Sequence, residues 1–243
     1  VKIQPDDAAW DAGDIRYNVL RWTSSPRPPF GGYGPSFVNP RTGQILGADI
    51  MLEYVYFTNR VKYEQLYKTF DLDSDSEIDP TKTCLAGDYL HQGNLFGLTA
   101  LTAIDDFSQL EQHRMIYESL VKLTLHEVGH TLGLNHNFYA SHLHSFKNIH
   151  DRLITEPVGL TSSVMDYVTA NVSDSPSHHG QFYSTTPGPY DIWAIEFGYT
   201  PSLESPVDEE ERMEILLSQS TKNELGFGND ADDMRSPGKG IDP

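Results

Sequence analysis

The 243-residue chain has one cysteine, few cations and no long apolar run. A single thiol, Cys84, excludes an internal disulfide, and cysteine usage does not decide the redox compartment. No apolar stretch approaches the roughly 20 residues needed to cross a bilayer as a helix. A basic-then-apolar leader is missing too. The chain opens on Val1-Lys2-Ile3 without an initiator Met, which reads as a processed form or an excised domain. Only 17 Lys and Arg face 35 acidic residues, giving a formal charge of −18. Such a surface repels a phosphate backbone and argues against a nucleic-acid partner. Internal repeats and low-complexity blocks are absent as well.

What is present describes a globular protein. Apolar residues make up 38% of the chain, with 13 Tyr and 11 Phe. The length suits one sizeable core, or one domain split into two lobes by a cleft, and sets no oligomeric state. Acidity serves solubility, and structural calcium is the sharper alternative. The run from Asp71 to Asp79 is the candidate, yet it fails the EF-hand pattern: Ser76 stands where Gly is needed and Lys82 where Glu is needed. It reads as a solvated loop.

Along the chain, Asp14 to Trp22 places Ile15, Tyr17 and Val19 at period two, predicting a half-buried strand. Residues 24–34 are rich in Pro and Gly and read as a loop. Ser36 to Val38 and Ile45 to Phe57 suggest a hairpin turned by Pro40 and Gly43. Asn59 to Phe70 suggests a short helix, and residues 71–105 suggest loops. From about Asp106 to Leu132 the spacing of Ile116, Leu120, Leu123 and Val128 predicts a long helix, capped by Asp105 or Asp106. Helices are also expected over 190–199 and about 207–218, before an extended tail.

The most informative stretch ends that long helix. His126-Glu127-Val128-Gly129-His130 continues to Gly133 and His136, the pattern H-E-x-x-H-x-x-G-x-x-H. On a helix, His126 and His130 project from one face and can share a metal, with Glu127 one step round. Gly133 can take the left-handed conformation that ends a helix, bringing His136 back as a third ligand. Three neutral imidazoles with an open fourth position describe a catalytic zinc site. Zinc would lower the pKa of a water toward about 7, and Glu127 would take its proton as it attacks a peptide carbonyl. Cys84 could ligate zinc as an inhibitory thiolate, but the expected reading is a small buried apolar residue. The histidines outside the motif, His91, His113, His142, His144, His150, His178 and His179, are expected on surface loops.

Downstream stands Ser163-Val164-Met165-Asp166-Tyr167. The extended zinc motif followed by this segment resembles the metzincin metallopeptidases. The segments 14–22, 33–36, 40–43 and 190–193 further resemble the catalytic region of large, little-characterised bacterial zinc-dependent metalloproteases. The resemblance implies an α+β, zincin-like fold: a twisted mixed sheet, a long active-site helix above a cleft, and an irregular C-terminal lobe with a terminal helix. It implies one catalytic domain, with lobes of about 1–136 and 137–243, cut from a longer exported chain and acting outside the cytoplasm. Met165 would be the Met-turn, an apolar floor under the zinc, and Tyr167 a catalytic residue supporting the oxyanion. Gly47, Ala48, Asp49 and Ile50 would belong to the edge strand that pairs with substrate, and residues 181–189 would line a pocket. The implied activity is endopeptidase cleavage of polypeptide. The alternatives are a peptidase specialised for glycosylated substrates and a zinc-bound scaffold that binds peptide without cutting it.

Overall fold

The computed structural model describes residues 2–25, 30–54, 84, 86–103, 108–173 and 179–229. The long strand β4 (Ile45–Glu53) organises the N-terminal half. Strand β1 (Val19–Thr23) runs parallel to it, with Val19 opposite Asp49 and Thr23 opposite Glu53. On its other side lie two short antiparallel strands, β2 (Gly32–Tyr33) and β3 (Ser36–Val38). The sheet is therefore mixed, and Ile50 and Leu52 turn from it into the core.

Helices cover the sheet, as an α+β fold requires. Helix α1 (Ala86–Ala103) buries Leu90 and Leu101. Helix α2 (Gln109–Thr131) buries Met115 and Leu123 against the same cluster, with Leu120 and Val128 partly buried beside them. The C-terminal half is mostly irregular. It holds a short helix α3 (Arg152–Val158), then α4 (Pro189–Tyr199) and α5 (Pro206–Ser218). A buried carboxylate joins the halves: Glu118 on α2 accepts the backbone N–H of Phe182 at 2.6 Å and of Tyr183 at 3.1 Å. Arg114, one turn earlier, donates to the Gly180 carbonyl at 2.9 Å.

Several expectations change. The strand predicted over 14–22 begins only at Val19, and Ile15 and Tyr17 are exposed before it. Asp14 folds back on Arg16 instead, which shapes a turn. Residues 86–103, expected as loop, form α1. Its glycines let it pack closely: a Cβ on Gly97 would meet the Met115 Sδ at 2.7 Å. Ser108 caps α2, its Oγ accepting the Glu111 N–H at 3.2 Å. Asp105 and Asp106, the proposed helix at 59–70 and the acidic run 71–79 lie outside the described residues.

Replacing Ser108 by Ala leaves the Glu111 N–H without its side-chain acceptor. Unfolding free energy is expected to fall by about 1 kcal/mol, read from urea denaturation with an unchanged m-value.

Candidate metal centre

Helix α2 carries His126, Glu127 and His130 in its last turns. Gly133 then adopts a φ of 90°, where an L side chain is strained, and its N–H bonds the His130 carbonyl at 3.0 Å. The Leu134 N–H reaches back to the Gly129 carbonyl at 3.0 Å, closing the helix end. This turn returns His136, whose Nε2 lies 3.1 Å from His130 Nε2.

Each helical imidazole is anchored on its far side. His126 Nδ1 lies 2.8 Å from the Val164 carbonyl, and His130 Nδ1 lies 3.0 Å from the Leu134 carbonyl. A carbonyl only accepts, so each Nδ1 is the donor and each Nε2 presents a lone pair to the centre. Burial drives the His126 pKa well down, with the neighbouring His130 reinforcing it. The neutral imidazole is the form that binds metal.

A fourth donor joins them. The Cys84 Sγ lies 3.4 Å from His126 Nε2, and the donor atoms of Cys84, His126, His130 and His136 all fall within 4.8 Å of one another. Tetrahedral zinc, with Zn–N near 2.0 Å and Zn–S near 2.3 Å, separates its ligands by roughly 3.3 to 3.6 Å. The 3.1 Å and 3.4 Å separations are close to that scale and every pair lies within 4.8 Å, so the donors fit zinc in number and kind around one small volume. Among the described residues this is the only group of three or more His, Cys, Asp or Glu able to hold a metal. Among the described residues no acidic cluster is grouped to hold calcium, and the run 71–79 lies outside them.

Glu127 is fully buried beside the centre. Burial pushes its carboxyl up to about 8, against the pull of the Cys84 thiol and the Gly34 N–H. Its Oε1 accepts from the Cys84 thiol at 3.7 Å, while among the described residues Oε2 has no hydrogen-bond partner. Strand β2 crosses so near that a Cβ on Gly32 would fall 2.3 Å from Oε1. The Tyr167 hydroxyl lies 3.1 Å from His136 Nε2 and 3.7 Å from the Cys84 Sγ. Met165 is wholly buried beneath α2, where a Cβ on Gly129 would fall 2.3 Å from its Sδ.

A second layer, missed by reading the sequence, holds this arrangement. The fully buried Lys122 donates to the Val164 carbonyl at 2.8 Å, the same oxygen that anchors His126. Asp191, in the first turn of α4, accepts the Val164 N–H at 2.8 Å, the Ser163 hydroxyl at 2.6 Å and the Gly188 N–H at 2.8 Å. The one sequence cue was an acid two residues after Pro189 at a helix start.

Some expected site residues stand elsewhere. Gly47, Ala48, Asp49 and Ile50 lie inside the sheet, not on its edge. Phe37 and Ser36 of β3 pair with Gly47 and Ala48, while Val19 and Leu20 of β1 pair with Asp49 and Ile50. The remaining N–H groups of Ala48 and Asp49 go to Asn18 Oδ1 and the Pro35 carbonyl. No run of free backbone groups is left there for a substrate. Gln181, Phe182, Tyr183 and Ser184, expected to line a pocket, are buried in the core. Cys84, expected as an apolar packing residue, points at the histidines. His91 is buried on α1 instead of exposed on a loop, and His178 lies outside the described residues.

A protein-family model described as Met-zincin matches residues 108–243, which include the three histidines, Glu127, Met165 and Tyr167. No curated protein and no solved structure matches the chain.

Burial lowers the Lys122 ammonium from 10.5 to about 8, with Asp166 and Asp191 opposing the shift. Between those values the unfolded chain binds the proton that the folded chain has lost, so stability rises with pH across that window. Lys122→Met is expected to remove this rise. Urea midpoints of metal-free wild type and variant at pH 8 and pH 10 measure it, and equal pH slopes would refute it.

Proposed function

The chain belongs to the Met-zincin family, and on that premise we propose that it is a zinc endopeptidase using Glu127 as its general base. One observation carries the reading: three inward-facing imidazoles and one buried carboxylate converge on a single point at the end of α2. Zinc, when bound by His126, His130 and His136, supplies the Lewis acidity that activates water and polarises a peptide carbonyl.

The chain's own residues do the rest. Glu127 takes the proton of the attacking water and passes it to the leaving amine. Burial raises the proton affinity of this carboxyl, while a cation on the three imidazoles would favour its charged form, the form that accepts the proton. Tyr167 donates its hydroxyl hydrogen bond to the oxyanion that develops as water adds. Met165 keeps the floor of the site apolar and fixed.

Substrate lies along β2 and β3 as an added strand. Among the described residues these strands pair with β4 alone, and Gly32 and Gly34 bring them against Glu127. Because backbone pairing reads main chain over side chain, the favoured substrate is an extended polypeptide cut internally. We also propose an extracytoplasmic setting, from the resemblance of residues 14–22 and 190–193 to exported bacterial metalloproteases. Recovery of the native protein in the cytosolic fraction of its host would overturn that setting.

A mixed peptide library incubated with the zinc-loaded protein is expected to show internal cuts, identified by mass spectrometry. Glu127→Ala should retain zinc and lose at least about a hundredfold in turnover. Wild-type-like cleavage by this variant removes Glu127 from the chemistry, and release of terminal residues alone removes the endopeptidase assignment. Tyr167→Phe should lower turnover by roughly a hundredfold with little change in KM. Unchanged turnover would leave Tyr167 as packing.

A further inference from the structure

We propose that Cys84 is a fourth ligand of the zinc centre, and that the fold described here is the latent form of the enzyme, closed by its own thiolate. The proposal rests on the zinc peptidase reading above. Zinc sites divide by coordination: structural sites have four protein ligands, and catalytic sites keep one position open. Three histidines alone would leave it open. Cys84 closes it.

The position of the sulfur decides the matter. Its Sγ lies 3.4 Å from His126 Nε2, 3.7 Å from Glu127 Oε1 and 3.7 Å from the Tyr167 hydroxyl. It thus stands between the residue proposed as base and the residue proposed to hold the oxyanion. A water attacking a carbonyl needs this ground, since it must sit within about 3 Å of the carboxylate that deprotonates it. Sulfur and that water exclude each other.

Glu127 gives an independent sign. Its side chain is wholly buried and aimed at the centre, yet its Oε2 has no hydrogen-bond partner among the described residues. A buried acceptor left in this state costs about 1 to 3 kcal/mol. The partner it lacks is what an attacking water would provide.

The placement of Cys84 is also built by close packing. Three residues on, in the first turn of α1, Gly87 meets Gly31 so closely that a Cβ on Gly87 would fall 2.3 Å from the Gly31 Cα. This backbone contact fixes the start of α1 against β2, the strand that touches Glu127. On binding, the Cys84 thiol gives its proton to solvent. On release the thiolate recovers a proton, and the position passes to solvent.

Zinc K-edge X-ray absorption on the one-zinc protein tests the ligand directly. Wild type is expected to show one sulfur near 2.3 Å beside nitrogen near 2.0 Å, and both Cys84→Ala and Cys84→Ser should keep zinc and lose the sulfur shell. Iodoacetamide, which forms an S–C bond and expels iodide, provides a check on unaltered protein: zinc should slow labelling of Cys84 by at least about tenfold. Latency predicts that Cys84→Ala cleaves the peptide library at least about tenfold faster than wild type. Zinc bound without sulfur in wild type overturns the proposal and leaves the histidine site standing. A sulfur shell with equal cleavage rates overturns latency alone. Failure of wild type and both variants to bind zinc overturns the peptidase reading beneath it.

Discussion

The carbonyl oxygen of Val164 accepts two buried hydrogen bonds from one helix, and the site depends on it. His126 Nδ1 and Lys122 Nζ both reach it at 2.8 Å. The first bond fixes the tautomer and tilt of a ligand imidazole. The second places a cation in the interior, where it is tolerable only because Asp166 and Asp191 are near. The N–H of Val164 is held in turn by Asp191. One peptide unit therefore locks the ligand helix to the irregular segment below it and to the start of α4. Met165 follows next in the chain, so its burial under Gly129 is a consequence of that lock.

Glycines set the other dimension. The site is assembled by backbones approaching more closely than any side chain permits: Gly31 against Gly87, Gly32 and Gly34 against Glu127, Gly129 against Met165. A methyl group at these positions would press on the backbone or carboxylate of Glu127, on a neighbouring glycine's backbone or on the Met165 sulfur. Gly34 shows how specific the constraint is, since a Cβ there would fall 2.3 Å from the Glu127 carbonyl oxygen itself. Close packing of this kind transmits small displacements without damping. It gives the site its rigidity and also makes it intolerant of change.

How much of this could be read from the residues follows from the range of each interaction. His126, His130 and Gly133 were legible because helical periodicity and a left-handed turn are local properties. Met165 and Tyr167 entered only through resemblance, for no local rule brings them under α2. Helix α1 was missed because Gly87, Gly93 and Gly97 weaken helix propensity, and their packing partners Gly31, Tyr183 and Met115 are distant in sequence. Lys122 and Asp191 carry no local signal of burial, because a buried charge depends on partners from other elements. The edge-strand expectation for Gly47 to Ile50 also came through resemblance, and pairing of β4 with β1, β2 and β3 is not a property of its own residues. Cys84 carried no periodic signal at all.

The environment of Glu127 joins these strands of argument. Burial removes water from its carboxylate and raises its proton affinity, while the N–H of Gly34 opposes this only in part. A divalent cation held by the three imidazoles acts on the same carboxylate in the opposite sense, and its field is strong where little water screens it. Without the cation, the buried acid favours its proton. With the cation, the charged form becomes affordable in the same apolar surroundings. The proton affinity of Glu127 is thus tied to occupancy of the centre through electrostatics. Dry packing around Glu127, which looks unfavourable for a charged group, is what makes that coupling strong.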